Sequence, residues 1–168
     1  MMNINRDGLL TLFTYNAYAN SLLMDTVAQL DDEALSREFS PSHGSARKLL
    51  LHMLGTEASF LAVCQGQPMS RPNLSTAANI RDSLERLGRE ATGFIASLSD
   101  GDLAREVTVK LIGDRPFRFS IGQLLLQAFL HSAHHRGELS ILLSELSHPL
   151  PNLDIIIHFA ELSGQPWK

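Results

Sequence analysis

Cysteine is nearly missing from this chain: Cys64 is the only one among 168 residues. That excludes an internal disulfide framework and makes a reducing compartment the expected setting. Long apolar runs are missing too, and no stretch approaches the roughly 18 residues that a membrane span needs. The opening MMNINRDGLLTLF lacks a basic start, a long apolar run and a small-residue cleavage site, so no signal peptide is expected. The cytoplasm is therefore the expected location. Positive charge is also scarce. Fourteen basic residues stand against eighteen acidic ones, for a formal charge of −4, and the densest basic group is the pair Arg47-Lys48. A nucleic-acid binder usually carries a basic footprint that neutralises phosphates. Neither nucleic acid nor a membrane is an expected partner; a small molecule and a second copy of the chain are.

What remains is the composition of a globular protein, 44% hydrophobic and 19% charged, long enough to bury a core as one domain over residues 1–168. Hydrophobic spacing predicts four long helices. The first, about 5–30, sets Leu9, Phe13, Asn16, Asn20, Leu23, Val27 and Leu30 at alternating intervals of four and three, one face of a helix. The second, about 45–64, is apolar around most of its circumference, as a central helix is. The third, about 75–98, repeats the spacing with Ala77, Ile80, Leu84, Leu87, Ala91, Phe94 and Leu98. The fourth, about 120–146, repeats it with Ile121, Leu124, Ala128, His131, His135, Glu138 and Leu142. Ser75 and Ser120 are the expected N-caps. EVTVKLIGDRPFRFS, between the third and fourth helices, alternates around Gly113-Asp114 and predicts a β-hairpin or an extended crossover. Residues 65–74 read as a loop, and a short helix at about 153–162 follows Pro149 and Pro151. The fold class is an all-α four-helix bundle.

The seams turn polar in two places. Asn16 and Asn20 interrupt the first; His131, His135 and Glu138 interrupt the fourth. Burying polar groups is costly unless they find partners. At about 100° per residue, His131 and His135 lie roughly 40° apart and one turn along, so both imidazoles reach one ion. His134 points about 60° to the other side of His131 and is the weaker candidate. His52, near the middle of the second helix, is the remaining mid-helix histidine. Three histidines without a thiolate leave a coordination position for water or substrate, the pattern of catalytic metal sites. Imidazole accepts zinc, nickel, copper and iron alike. The plainer reading stands beside this one. In it the histidines are hydrogen-bonded core residues, Asn16 and Asn20 set the register of a seam, and Glu138 pairs with Arg136 or Lys48 at the rim. Cys64 reads as a small buried apolar residue, roughly 120° around the helix from His52. His43, His148 and His158 read as non-ligands.

Together these segments resemble the DinB/YfiT-like metalloenzyme family. LFTYNAYANSLLMDTVAQLDDEAL is similar to its opening helix, and GSARKLLLHMLGTEASFL to its second. LLLQAFLHSAHHRGELSILLSEL is similar to its His-x-x-His-His-Arg-Gly-Gln segment, and NLDIIIHF to its terminal helix. The resemblance implies an up-down-down-up bundle, commonly a homodimer, with a divalent metal held by His52, His131 and His135. It implies metal-dependent hydrolysis, or transfer or isomerisation with a low-molecular-weight thiol. Two residues depart from the family pattern: Glu138 stands where Gln is usual and Phe60 where Trp is usual. The favoured expectation is a metal-dependent enzyme with one ion per chain, zinc or nickel first, then iron, manganese or cobalt. Glu138 would be a general base, fourth ligand or supporting partner, and Asn16 and Asn20 would orient ligands or substrate. The alternative is a metal-binding stress-response protein without turnover; a purely structural helical dimer is a further rival.

Overall fold

The computed structural model describes residues 4–40, 44–68, 76–110 and 115–165. Its elements run α1 (Arg6–Val27), α2 (Asp32–Ser36), β1 (Glu38–Ser40), β2 (Gly44–Ser45), α3 (Ala46–Gln65), α4 (Ala77–Ser97), α5 (Asp100–Ala104), β3 (Glu106–Lys110), β4 (Pro116–Ser120), α6 (Ile121–Glu145) and α7 (Ile155–Leu162). The four long helices are α1, α3, α4 and α6. In the bundle α1 packs on α4 and α6, and α3 packs on the same two.

Contacts between side chains set the helix directions. Arg81 near the start of α4 pairs with Asp25 near the end of α1 at 2.7 Å, so these two run antiparallel. Cys64 at the end of α3 meets the carbonyl of Ile121 at the start of α6, and Glu57 further back meets Ser132 further on; α3 and α6 are antiparallel. Phe13 meets Phe129, while Asn20 meets Arg136, so α1 and α6 are parallel. The bundle is up-down-down-up, as the resemblance implies.

Each long helix begins where a side chain replaces the missing backbone acceptors of the first turn. Asn5 caps α1 and Ser45 caps α3. Ser120 caps α6 in a capping box with Gln123. The predicted cap Ser75 lies outside the described residues, and Thr76 caps α4. At the far end of α3, Gly66 takes φ 69°, the left-handed conformation that glycine reaches without a Cβ clash. The predicted stripe of α1 is buried from Leu9 to Val27, with Leu30 half-buried beyond the helix end. On α4 the core positions shift slightly: Ile95 is buried and Phe94 only half-buried.

Of the two expectations for the segment before α6, a β-hairpin or an extended crossover, the hairpin forms. Strands β3 and β4 pair antiparallel from Glu106↔Ser120 to Lys110↔Pro116, although Gly113 and Asp114 lie outside the described residues. The predicted loop 65–74 lies partly outside them as well, and Gln65 ends α3. Short elements α2, α5 and the β1–β2 pair were not expected; each is too brief to show a periodicity. Among the described residues, no helix is long and apolar enough to cross a membrane.

Candidate metal centre

Helices α3 and α6 bring His52, His131 and His135 together. Their ring centroids stand 4.2 Å apart for His131 and His135, 4.9 Å for His52 and His131, and 4.8 Å for His52 and His135. One ligating nitrogen from each ring lies within 4.8 Å of the others. The Nε2 atoms of His131 and His135 face each other at 3.1 Å. Two imidazoles on a tetrahedral zinc ion, with bonds of 2.0–2.1 Å, hold their nitrogens roughly 3.3 Å apart. The α6 pair already stands close to that separation, and His52 offers a nitrogen within 4.8 Å of both. The donor set fits a divalent transition metal.

Burial grades across the cluster. His135 is buried, at 4% exposure, His131 is half-buried, and His52 is exposed. The sequence places His52 mid-helix in the nearly all-round apolar second helix. It lies on the solvent edge of α3, because the interior face of that helix runs through Leu49, Leu50, Met53, Leu54, Glu57 and Leu61. The cluster thus opens to solvent on one side, which a site exchanging water or substrate requires.

Glu138, one turn beyond His135, sits with Oε2 at 2.6 Å from His135 Nδ1. With the proton on Nδ1 donated to this carboxylate, Nε2 turns its lone pair toward His131 and His52, the arrangement by which a carboxylate orients a metal-binding histidine. The other carboxylate oxygen stands 3.6 Å from Nε2 of the exposed His134. His134, His135 and Glu138 form a second grouping of ligand-type atoms on the outer side of α6. The rim pairing weighed for Glu138 does not form: Lys48 pairs with Glu38, and Arg136 turns into the interior.

Arg136 is 3% exposed and Glu57 2% exposed. Arg136 Nη1 donates to Asn16 Oδ1 at 2.5 Å and to Asn20 Oδ1 at 2.8 Å. Asn16 Nδ2 donates to both oxygens of Glu57 at 3.1 Å, and Ser132 Oγ donates to Glu57 Oε2 at 2.7 Å. Burial pushes the Glu57 carboxyl up; the bonds from Ser132 and Asn16 and the Arg136 charge pull it down without cancelling the rise. Burial likewise pushes the Arg136 guanidinium below its usual range. Every bond to Glu57 is an accepted one, as a carboxylate requires. Asn16 and Asn20 are thus bonded to Arg136 and, for Asn16, to Glu57. Sequence reasoning missed Glu57 and the inward course of Arg136. The available signal was the pair of asparagines, which needed a buried partner.

Cys64 is fully buried and its thiol is pushed up to about 12 by that burial. His158 stacks on Tyr18 at 4.4 Å between centroids, and His43 lies outside the described residues. Among the described residues, His148 and His158 join no grouping of three ligand-type side chains.

An up-down-down-up bundle with a histidine cluster between its second and last long helices is the class that fold and site define. The DinB family pattern matches residues 1–163, and the chain belongs to that family. A DinB-like protein from Bacillus cereus has a similar structure, with a TM-score of 0.71 at 21% identity, covering 90% of this chain and 99% of that one. A DinB-like protein from Bacillus subtilis gives 0.65 at 19% identity, covering 85% and 96%. At such identities the likeness concerns the fold. No curated protein matches the chain.

Proposed function

We propose that this chain is a metal-dependent enzyme acting on a small molecule, with one divalent ion held by His52, His131 and His135. The observation that carries the reading is the convergence of three imidazoles beside a carboxylate that orients one of them. When bound, the ion supplies Lewis acidity and lowers the pKa of a water or thiol. Zinc and nickel suit the donors best; iron, manganese and cobalt are also accepted. Glu138 holds the proton on His135 Nδ1 and is the candidate general base, a role that needs its carboxylate within hydrogen-bond reach of the nucleophile. The reaction class is hydrolysis or small-thiol transfer. For the latter the thiol comes from outside, since the chain's one cysteine is buried and its thiol stays protonated at neutral pH. We further read residues 1–168 as one domain, located in the cytoplasm, forming a homodimer and binding neither nucleic acid nor membrane.

Elemental analysis of purified protein tests the site. About one metal per chain is expected in wild type and in His134→Ala, and its loss in His52→Ala, His131→Ala and His135→Ala. Loss in His134→Ala alone would move the site to the outer grouping. Metal without turnover on ester, amide or thiol-transfer substrates would favour the binding-protein alternative.

A further inference from the structure

The buried polar side chains form a circuit, and their places in the sequence follow the histidines. Ser132 comes directly after His131, Arg136 directly after His135, and Glu57 lies on the interior face of the helix that carries His52. The bonds run from α6 to α1 through Arg136 and Asn16, from α1 to α3 through Asn16 and Glu57, and from α3 back to α6 through Ser132. Asn20 adds a second anchor for Arg136 on α1.

Taking a guanidinium and a carboxylate out of water is costly, and apolar side chains of similar volume often give an equal or more stable interior. The circuit does something that apolar packing does less well. Hydrogen bonds to a guanidinium, an amide and a carboxylate are directional, so rotating or sliding α6 breaks them, whereas Leu-on-Leu contacts tolerate small shifts. Successive helix residues are about 100° apart. Pinning Ser132 and Arg136 between α1 and α3 therefore turns the residues before them, His131 and His135, toward the edge of α3 that carries His52.

We propose that Arg136, Asn16, Glu57 and Ser132 are positioning residues that set the metal affinity of the histidine cluster without touching the ion. The inference rests on the metal-site reading above.

Zinc titration by calorimetry, with cobalt absorption as a report on coordination geometry, tests it in wild type, Glu57→Leu/Arg136→Met and Ser132→Ala. The double variant removes both charges together and so leaves neither one buried alone. It leaves the buried amides of Asn16 and Asn20 without their partners and so should melt below wild type, and it should bind zinc about ten- to a hundredfold more weakly, the range seen when supporting groups around metal ligands are lost. Its cobalt spectrum should change in intensity. Ser132→Ala should shift affinity the same way by a smaller factor, and it decides the matter if the double variant fails to fold. Wild-type affinity and spectrum in the folded variants would overturn the proposal while leaving the metal site standing. Absence of zinc binding in wild type would remove the metal site, and the positioning role with it.

Discussion

Glu138 and Glu57 are two carboxylates with opposite situations. Glu138 is half-buried and bonded to one ring nitrogen of His135, so exchanging it for Gln keeps a hydrogen-bond acceptor there but removes the charge and the proton acceptor. Glu138→Gln should keep its metal and lose rate. Equal turnover in wild type and variant, once a substrate is found among esters, amides and thiol-transfer donors, would take Glu138 out of the mechanism. Glu57 is buried and joined to the equally buried Arg136 through Asn16. Its pH dependence has a definite sign. Burial raises the Glu57 pKa in the folded chain, so between the ordinary and the raised value the folded state holds a proton that the unfolded state has released. The contribution to stability is complete below the ordinary glutamate value and is lost as pH rises through the raised one. Urea unfolding should therefore show the margin of wild type over Glu57→Gln narrowing as pH rises from the ordinary glutamate range. A margin independent of pH would show that Glu57 titrates normally in the folded chain.

At the scale of elements, α6 carries the chemistry and the bundle contacts at once. Its start is held twice: by the Ser120–Gln123 capping box, and by the Ile121 amide donating to the Arg105 carbonyl at 3.0 Å. Ser120 also closes the β3–β4 register opposite Glu106. Ser120→Ala should cost about 1 kcal/mol, the usual worth of such a cap, measured by denaturant unfolding. A loss within error of zero would mean that the hairpin alone secures the helix start. The last helix, α7, docks on α1 through Tyr18 Oη donating to Glu161 Oε2 at 2.7 Å, the Tyr15 hydroxyl donating to the Leu153 carbonyl, and His158 lying over Tyr18. Sequence showed a short helix here but not its seat. The three contacts join residues more than a hundred positions apart, which no local spacing encodes.

For the molecule as a whole, the bundle leaves apolar surface uncovered. Leu130 and Ile141 on α6 and Ile156, Phe159 and Leu162 on α7 are exposed, Leu162 at 70%. Single exposed apolar residues are ordinary, but several on two helices suit a protein interface, in keeping with the homodimer we propose. Light scattering at micromolar concentration should give twice the 18.6 kDa chain mass; the mass of one chain would count against the dimer.

The sequence by itself determined the four long helices, the faces of α1 and α6, and the convergence of His131 with His135, and it narrowed the segment before α6 to a hairpin or an extended crossover. All of these follow from local periodicity, and two residues four apart on a helix share a face whatever surrounds them. It also marked Asn16 and Asn20 as needing buried partners, though not which ones. Tertiary structure decided the rest. His52 reaches the α6 pair from an exposed edge, because the rotation of α3 about its own axis is set by which residues α4 and α6 cover. Arg136, adjacent in sequence to His135, turns inward: a guanidinium enters a bundle core only where carbonyl and carboxylate oxygens from other helices meet it. Those oxygens belong to Asn16 and Asn20, at least 116 positions away, and, through Asn16, to Glu57. Spacing along one helix carries no information about atoms that distant; packing brings them together.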